Sequence, residues 1–135
     1  MKPMFLLSLM VACAAGNFAF AQDNISKVPV QFAKGASSAQ LKGQFSGYDS
    51  VRYSLGAKAG QSMTVRIKGS TNANFNVFAP GDQPGASAAL GSGSVGSDWS
   101  TALPASGQYT VEVYQMRASA RRGAKVAYSI EFEVK

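Results

Sequence analysis

The feature that most limits the folds open to this chain is a repeated alternation of apolar and polar residues. Successive side chains of a β-strand point to opposite faces of the sheet, so a period of two is typical of strands with one buried face. No segment shows a sustained helical period. The alternating apolar positions are Val28, Val30 and Phe32; Val51, Tyr53 and Leu55; Met63, Val65 and Ile67; Phe75 and Val77; Tyr109, Val111 and Val113; and Val126, Tyr128, Ile130, Phe132 and Val134.

Short polar segments separate these stretches. They are rich in Gly, Ser, Asn and Asp, the residue types that favour tight turns. Further strands are expected at Gln40–Phe45 and, more weakly, around Trp99. About eight short strands joined by tight turns predict an all-β fold, an antiparallel β-sandwich or a barrel. The turn segments are 47–50, 57–61, 69–72 and 105–107.

Two segments depart from the alternation. Pro80–Gly96 is rich in Gly, Ser and Ala and has Asp82 as its only charge, which predicts a long flexible loop with room for one weak strand. Gln115–Gly123 lies between the two strongest strands and contains good helix formers before a glycine stop. One helical turn there would direct Arg117 and Arg121, four residues apart, to the same side.

The amino-terminal segment has the layout of a secretory signal peptide. Lys2 precedes an apolar run too short to span a bilayer, and Ala19-Phe20-Ala21 supplies the small residues that signal peptidase requires. Residues 1–21 are therefore the predicted signal peptide and residues 22–135 the exported domain. The alternative is a lipobox ending at Cys13, with the chain lipid-anchored; a soluble product is favoured because cleavage after Ala21 fits the pattern better.

The charge balance suggests an acidic partner. The chain has a formal net charge of +6, which favours anionic lipids, anionic glycans or the acidic cleft of another protein. Nucleic acid is not expected, because the lysines are spread singly and the chain is predicted to be exported. After cleavage the chain would hold no cysteine, so its stability must come from the core without disulfides.

The composition argues against an enzyme. The chain contains no histidine, which excludes the common Ser–His and Cys–His nucleophile systems and removes the usual zinc ligands. Glu131 and Glu133 could serve as a glycosidase carboxylate pair, but their spacing places both on the solvent face of the last strand. We therefore expect no catalytic residues, no metal site and no cofactor.

Five segments, in this order and spacing, resemble the periplasmic inhibitors of g-type (goose-type) lysozyme of Gram-negative bacteria. Each segment alone is a weak match, whereas their order and spacing together are specific. The resemblance runs from Val28 to Lys135, nearly the whole predicted mature domain. The segments are Lys34–Gln40, Gly47–Asp49, Ala57–Gln61, Leu103–Tyr109 and Gln115–Arg121.

The resemblance implies a fold, a partner and a site. The family's fold is an antiparallel β-sandwich, and its members insert a loop into the substrate cleft of g-type lysozyme, which protects the cell wall. Carried over to this sequence, the lysozyme-binding residues are Arg117 and Arg121, with Tyr48 beside them. The implied location is the periplasm, without membrane insertion after signal cleavage.

The residues alone leave other interpretations open. Two arginines at this spacing are most often a solvated loop, and a turn tyrosine such as Tyr48 often packs on the core. A different class of function is an exported β-sandwich module that binds envelope glycan. Such modules present aromatic side chains on an exposed face, and Trp99 and Tyr114 are the candidates here.

Overall fold

The computed structural model describes residues 24–135. The predicted signal peptide, its cleavage site and Cys13 lie outside these residues. The described chain forms nine strands and one short helix in the order β1 (Ile25–Pro29), β2 (Ser38–Ser46), β3 (Ser50–Ala57), β4 (Ser62–Gly69), β5 (Asn74–Phe78), β6 (Gly91–Ser94), β7 (Trp99–Ala102), β8 (Gly107–Tyr114), α1 (Arg117–Arg121) and β9 (Lys125–Val134).

The strands form two sheets packed face to face. The five-stranded sheet has the order β1-β3-β8-β5-β6, and the four-stranded sheet has the order β2-β9-β4-β7. Neighbouring strands pair antiparallel, with the exception of β1, which pairs parallel to β3 at the sheet edge. The predicted all-β sandwich is confirmed. The parallel edge pair was not predicted.

The alternating apolar residues meet in one core between the sheets. Every second side chain of β3, β4, β8 and β9 is buried there, as the period of two requires. A hydrogen bond of 2.6 Å between the Tyr53 and Tyr128 hydroxyl groups joins β3 of one sheet to β9 of the other. Burial raises the pKa of both phenols above its usual value, so both stay neutral and the core holds no charge at this point.

The weakly patterned segments show where tertiary packing decides the structure. Val28, Val30 and Phe32 face the core as predicted. The pairing of β1 with β3 covers only Ile25–Pro29, so Val30 and Phe32 contact the core from beyond the end of the strand. The predicted weak strand within Pro80–Gly96 is β6. Its glycines are sterically required: a Cβ at Gly91 would meet the Trp99 indole, and one at Gly93 would meet the Phe75 ring.

Four connections pass from one sheet to the other at the same end of the sandwich. They are β2–β3 (residues 47–49), β4–β5 (residues 70–73), β6–β7 (residues 95–98) and β8–β9 (residues 115–124). The register places them together, because Ser46 pairs with Lys125 in one sheet while Asn74 pairs with Tyr114 in the other. We call this the crossover end. The opposite end, which contains the β3–β4 and β7–β8 turns, is the far end.

Candidate functional site

The β8–β9 connection contains the short helix α1, and the residues on either side of α1 begin and end the helical turn. Met116 precedes α1 in an extended conformation, and Gly123 follows it at φ 66°, a left-handed conformation that glycine adopts without strain. Ala120 is buried and anchors the turn against the domain. The predicted helical turn with its glycine stop is confirmed. Its remaining residues extend from the crossover end into solvent.

The arginines of this connection have no carboxylate partner among residues 24–135. Arg117, Arg121 and Arg122 are all exposed, and every ion pair within 4.0 Å in the described chain involves other cations. Arg117 and Arg121 stand four positions apart on one helical turn, so they project to the same side. The arrangement offers two permanent positive charges to an external anion.

Tyr48 occupies the neighbouring β2–β3 turn and points away from the core. Its side chain is 49% exposed, so it is not the core-packed aromatic that turn tyrosines often are. Gly47 makes the turn possible at φ 60°, and the Asp49 amide donates to the Ser46 carbonyl at 3.1 Å. The Asp49 carboxylate accepts from the Asn24 amide at 2.9 Å. The turn is therefore a fixed platform with an exposed ring.

Hydrogen bonds join the tyrosine turn to the arginine connection. The Gly47 amide donates to the Ala124 carbonyl at 3.1 Å. The Gln115 side-chain amide donates to the Gly47 carbonyl at 2.9 Å and to the Ala124 carbonyl at 2.7 Å. Asn72, from the β4–β5 connection, donates to the Gln115 side-chain oxygen at 2.8 Å. The structure thus places the segments that carry Tyr48, Arg117 and Arg121 side by side at the crossover end.

The rest of the crossover end adds apolar groups and further cations. Four large hydrophobic side chains of the described chain are exposed, and three of them, Ile25, Tyr48 and Met116, lie here. Lys68 and Lys125 lie at the ends of the strands beside them and are exposed. Exposed apolar groups beside several positive charges are typical of a protein-binding surface for an acidic partner.

Gln115 and Asn72 were not among the residues that the sequence singled out. One signal was present for Gln115. It continues the inward parity of Tyr109, Val111 and Val113, which marks it as an inward position directly after the end of β8. A glutamine at an inward position must find hydrogen-bond partners. Asn72 gives no comparable signal, because asparagine is common in turns for local reasons.

The two aromatics of the glycan-binding hypothesis do not share an exposed face. Trp99 belongs to the four-stranded sheet and is half-buried against the core and Gly91. Tyr114 belongs to the five-stranded sheet, is also half-buried, and its hydroxyl donates to Asn76 at 3.5 Å. A flat stacking platform for a sugar ring requires aromatic faces open to solvent. The hypothesis that these two residues form one is wrong.

The two glutamates considered as a glycosidase pair form ion pairs within a sheet. Glu131 and Glu133 lie on the outer face of β9, as predicted, and both face Arg66 on the neighbouring strand, at 2.7 Å and 4.0 Å. Among residues 24–135, no group of three or more His, Cys, Asp or Glu side chains could hold a metal ion. Nor does that part of the chain contain a helix long and apolar enough to cross a membrane.

Known proteins resemble the chain in both sequence and fold. It is 34% identical over a 136-residue alignment to the inhibitor of g-type lysozyme of Escherichia coli K12, covering 99% of this chain and 95% of the other. The crystal structure of a periplasmic inhibitor of g-type lysozyme from Aeromonas hydrophila has 61% identity and a TM-score of 0.82, covering 84% of this chain and 100% of the other.

A third relative extends the comparison. The Salmonella Typhimurium structure of a periplasmic inhibitor of g-type lysozyme has 30% identity and a TM-score of 0.65, covering 82% of this chain and 98% of the other. A scan against protein-family models gave no match. The resemblance found in the sequence is therefore confirmed by alignments over nearly the whole chain. The chain belongs to the family of periplasmic inhibitors of g-type lysozyme.

Proposed function

We propose that this protein inhibits g-type lysozyme in the periplasm by placing its β8–β9 connection in the substrate cleft of the enzyme. It is a binding protein and not an enzyme. The observation that carries the mechanism is the state of Arg117 and Arg121: both are exposed, and no carboxylate of residues 24–135 lies within 4.0 Å of either. Their charge is available to a partner.

The chemistry of a lysozyme cleft matches these two groups. Glycoside hydrolysis uses carboxylic acids, so the cleft of such an enzyme is concave and acidic. A guanidinium group is planar, permanently charged and able to bind a carboxylate through two parallel hydrogen bonds. With Arg117 and Arg121 in the cleft, the glycan would be excluded from the acids that cleave it. Inhibition then follows from occupancy alone.

Tyr48 supplies the second part of the contact. An exposed tyrosine on a rigid turn offers a large amphipathic surface with little side-chain entropy to lose, and such residues are enriched at interface hot spots. Its turn is hydrogen-bonded to the arginine connection through Gly47, Ala124 and Gln115. Both parts of the surface are thus arranged before the partner arrives, which lowers the ordering cost of binding.

The test is a cell-wall lysis assay with the purified protein comprising residues 22–135 and g-, i- and c-type lysozymes in parallel. We expect inhibition of the g-type enzyme at near-stoichiometric ratios and none of the c-type enzyme. Arg117→Ala and Arg121→Ala should each weaken binding by about 2–5 kcal/mol if the charges are desolvated in the complex. Tyr48→Ala should weaken it as well.

The matched control is Lys58→Ala at the far end, which removes one exposed positive charge but lies on the β3–β4 turn. It should inhibit like the unmodified protein. Full inhibition by the Arg117, Arg121 and Tyr48 variants would show that another surface binds the enzyme. Inhibition of the c-type enzyme to the same degree would contradict the proposed partner.

A further inference from the structure

We propose that Gln115, assisted by Asn72, is a positioning residue for inhibition: its side-chain amide holds the Tyr48 turn and the arginine connection in one relative position. This inference rests on the proposed function of the crossover end. It adds to that function a buried group that does not itself reach the surface, since Gln115 is only 6% exposed. The partner would contact Tyr48, Arg117 and Arg121, and Gln115 would act through them.

The hydrogen bonds around Gln115 form a closed ring. The Gly47 amide and one Gln115 N–H both donate to the Ala124 carbonyl, and the second Gln115 N–H donates to the Gly47 carbonyl. The Gln115 oxygen accepts from Asn72. Both donors and the acceptor of the amide are therefore used. The bonds link Gln115 to the β2–β3 connection through Gly47, to the β4–β5 connection through Asn72, and to the last residue of its own connection, Ala124.

Few other residue types could replace Gln115. The Gly47 and Ala124 carbonyls both accept from Gln115 while Asn72 donates to it, and a primary amide supplies two donors and an acceptor from one planar group. A carboxylate would face two carbonyl oxygens with no N–H to offer. An apolar side chain of the same length would leave the Gly47 carbonyl without its side-chain donor in a partly buried site, which costs the full desolvation of that group.

The segments on either side of this ring are the ones most able to move when it is removed. Gly47 and Gly123 both adopt left-handed conformations, at φ 60° and 66°, and glycine has the largest backbone freedom to regain. If only one arrangement of turn and helix fits the cleft, then the apparent dissociation constant rises in proportion as that arrangement becomes less populated. Loss of Gln115 would act on binding in this way.

The main experiment compares Gln115→Met with Tyr109→Phe. Tyr109 is a buried residue of β8 near the far end whose hydroxyl donates to the Ala105 carbonyl at 2.6 Å and accepts from the Ala105 amide at 3.3 Å. Tyr109→Phe removes both of these hydrogen bonds and leaves the residues of the crossover end unchanged. Inhibition constants for g-type lysozyme, denaturant unfolding and hydrogen exchange are measured on both variants.

We expect Gln115→Met to weaken inhibition about tenfold, because a modest loss of pre-organisation reduces the competent population by this order. Tyr109→Phe should lose comparable stability while its inhibition changes less than about twofold. The Gly47 amide, which bridges the two segments, should exchange faster in Gln115→Met and unchanged in Tyr109→Phe. A purely structural role of Gln115 would not produce this difference.

Two further variants keep the proposal falsifiable. Asn72→Ala removes the anchor behind Gln115 and should weaken inhibition by about threefold, even if Gln115→Met does not fold. In a Tyr48→Ala background the effect of Gln115→Met on inhibition should shrink, because the aromatic side chain that Gln115 positions relative to the arginines is no longer present. Equal effects in both backgrounds would contradict positioning.

The outcomes also separate this inference from the proposed function. Normal inhibition by Gln115→Met and Asn72→Ala, together with loss of inhibition in Arg117→Ala, would overturn the positioning role and leave the binding surface intact. Normal inhibition by the Arg117, Arg121 and Tyr48 variants would instead remove the binding surface on which both proposals depend.

Discussion

The arginines of the sheet faces and the arginines of the crossover end have the same chemistry and opposite surroundings. Arg52 lies 2.7 Å from Glu112 across two paired strands, and Arg66 lies 2.7 Å from Glu131 with Asp98 and Glu133 within 4.0 Å. No carboxylate of residues 24–135 is that near to any arginine of the β8–β9 connection.

The contrast shows how a small acid content is distributed. Three of the six Asp and Glu side chains of the described chain lie on the outer faces of strands, each within 4.0 Å of an arginine of the neighbouring strand: Glu112, Glu131 and Glu133. At the crossover end the Asp49 carboxylate accepts from the Asn24 amide, and none of the described carboxylates pairs with the arginines of the β8–β9 connection. The sheet pairs serve the fold, while the unpaired arginines are available to a partner. Each prediction below tests whether that division holds.

Among the tests of this division, the largest effect on inhibition should come from giving the unpaired arginines a carboxylate of their own. Ala118 is exposed on α1, three residues before Arg121 and four before Arg122. Ala118→Glu should weaken inhibition by about 2 kcal/mol, because it pairs with these arginines and adds a negative charge facing an acidic cleft. Inhibition constants measure the effect. Ala118→Gln, which has the same size without the charge, should change little.

The second prediction is that high pH lowers the stability contributed by the buried tyrosines of the sheets and leaves the charge of the arginines unchanged. Burial raises the folded-state pKa values of Tyr53 and Tyr128 above the ordinary 10.0. Above pH 10 the folded protein therefore keeps phenol protons that the unfolded chain releases. Their stabilising contribution is complete below pH 10 and is lost as the pH rises above it.

The expected loss is about 1.4 kcal/mol per pH unit for each phenol that is neutral in the fold and ionised in the unfolded chain. The arginines stay charged throughout this range. Denaturant unfolding from pH 8 to pH 11 measures the slope, and Tyr53→Phe should make it shallower. A slope identical in Tyr53→Phe and the unmodified protein would assign the loss to other groups.

A smaller effect is expected from breaking a sheet pair. Arg66→Ala leaves Glu131 and Glu133 next to each other on the outer face of β9 without their shared cation. The free energy of unfolding should fall by at most about 1 kcal/mol, since the pair is partly exposed and screened. Inhibition should be unchanged. Weaker inhibition by Arg66→Ala, without loss of the fold, would break the division between the two sets of arginines.

The smallest effect concerns the cations around the site. Lys68 and Lys125 are exposed at the crossover end, and Lys68→Gln or Lys125→Gln should each slow association with g-type lysozyme about twofold at low salt. The difference should disappear near 0.5 M salt, where the screening length falls to about 4 Å. Stopped-flow association kinetics measure it. Lys58→Gln at the far end should show no such difference.

The fold was largely predictable because burial follows a period of two. The alternation identified the inward faces of β3, β4, β8 and β9 correctly, since side-chain direction is a local property of the strand. It could not give strand partners. Val28 and Val30 face the core as expected, but nothing in their pattern shows that β1 runs parallel to β3, because pairing direction depends on residues distant in the sequence.

The parts that the sequence indicated only weakly or not at all depend on distant contacts. Gly91 and Gly93 give no strand signal by themselves; they fit β6 because Trp99 and Phe75 fill the space where their side chains would be. The inward parity of Gln115 indicates that its side chain needs hydrogen-bond partners, but its partners Gly47 and Asn72 are distant in the sequence. Arg117 and Arg121 were predicted through the family resemblance, and their role in binding stays a prediction.

The positions of the two ends of the described chain decide how this domain can be attached to anything else. Asn24 is hydrogen-bonded to Asp49 and Ser50, beside the Tyr48 turn, whereas Lys135 is bonded to Ser62 at the other extremity of β9. A sensor chip, a fluorophore or a fused carrier protein linked through Lys135 therefore leaves the arginine connection facing outward. The same cargo linked at Asn24 would begin next to the contact surface and compete with lysozyme for it.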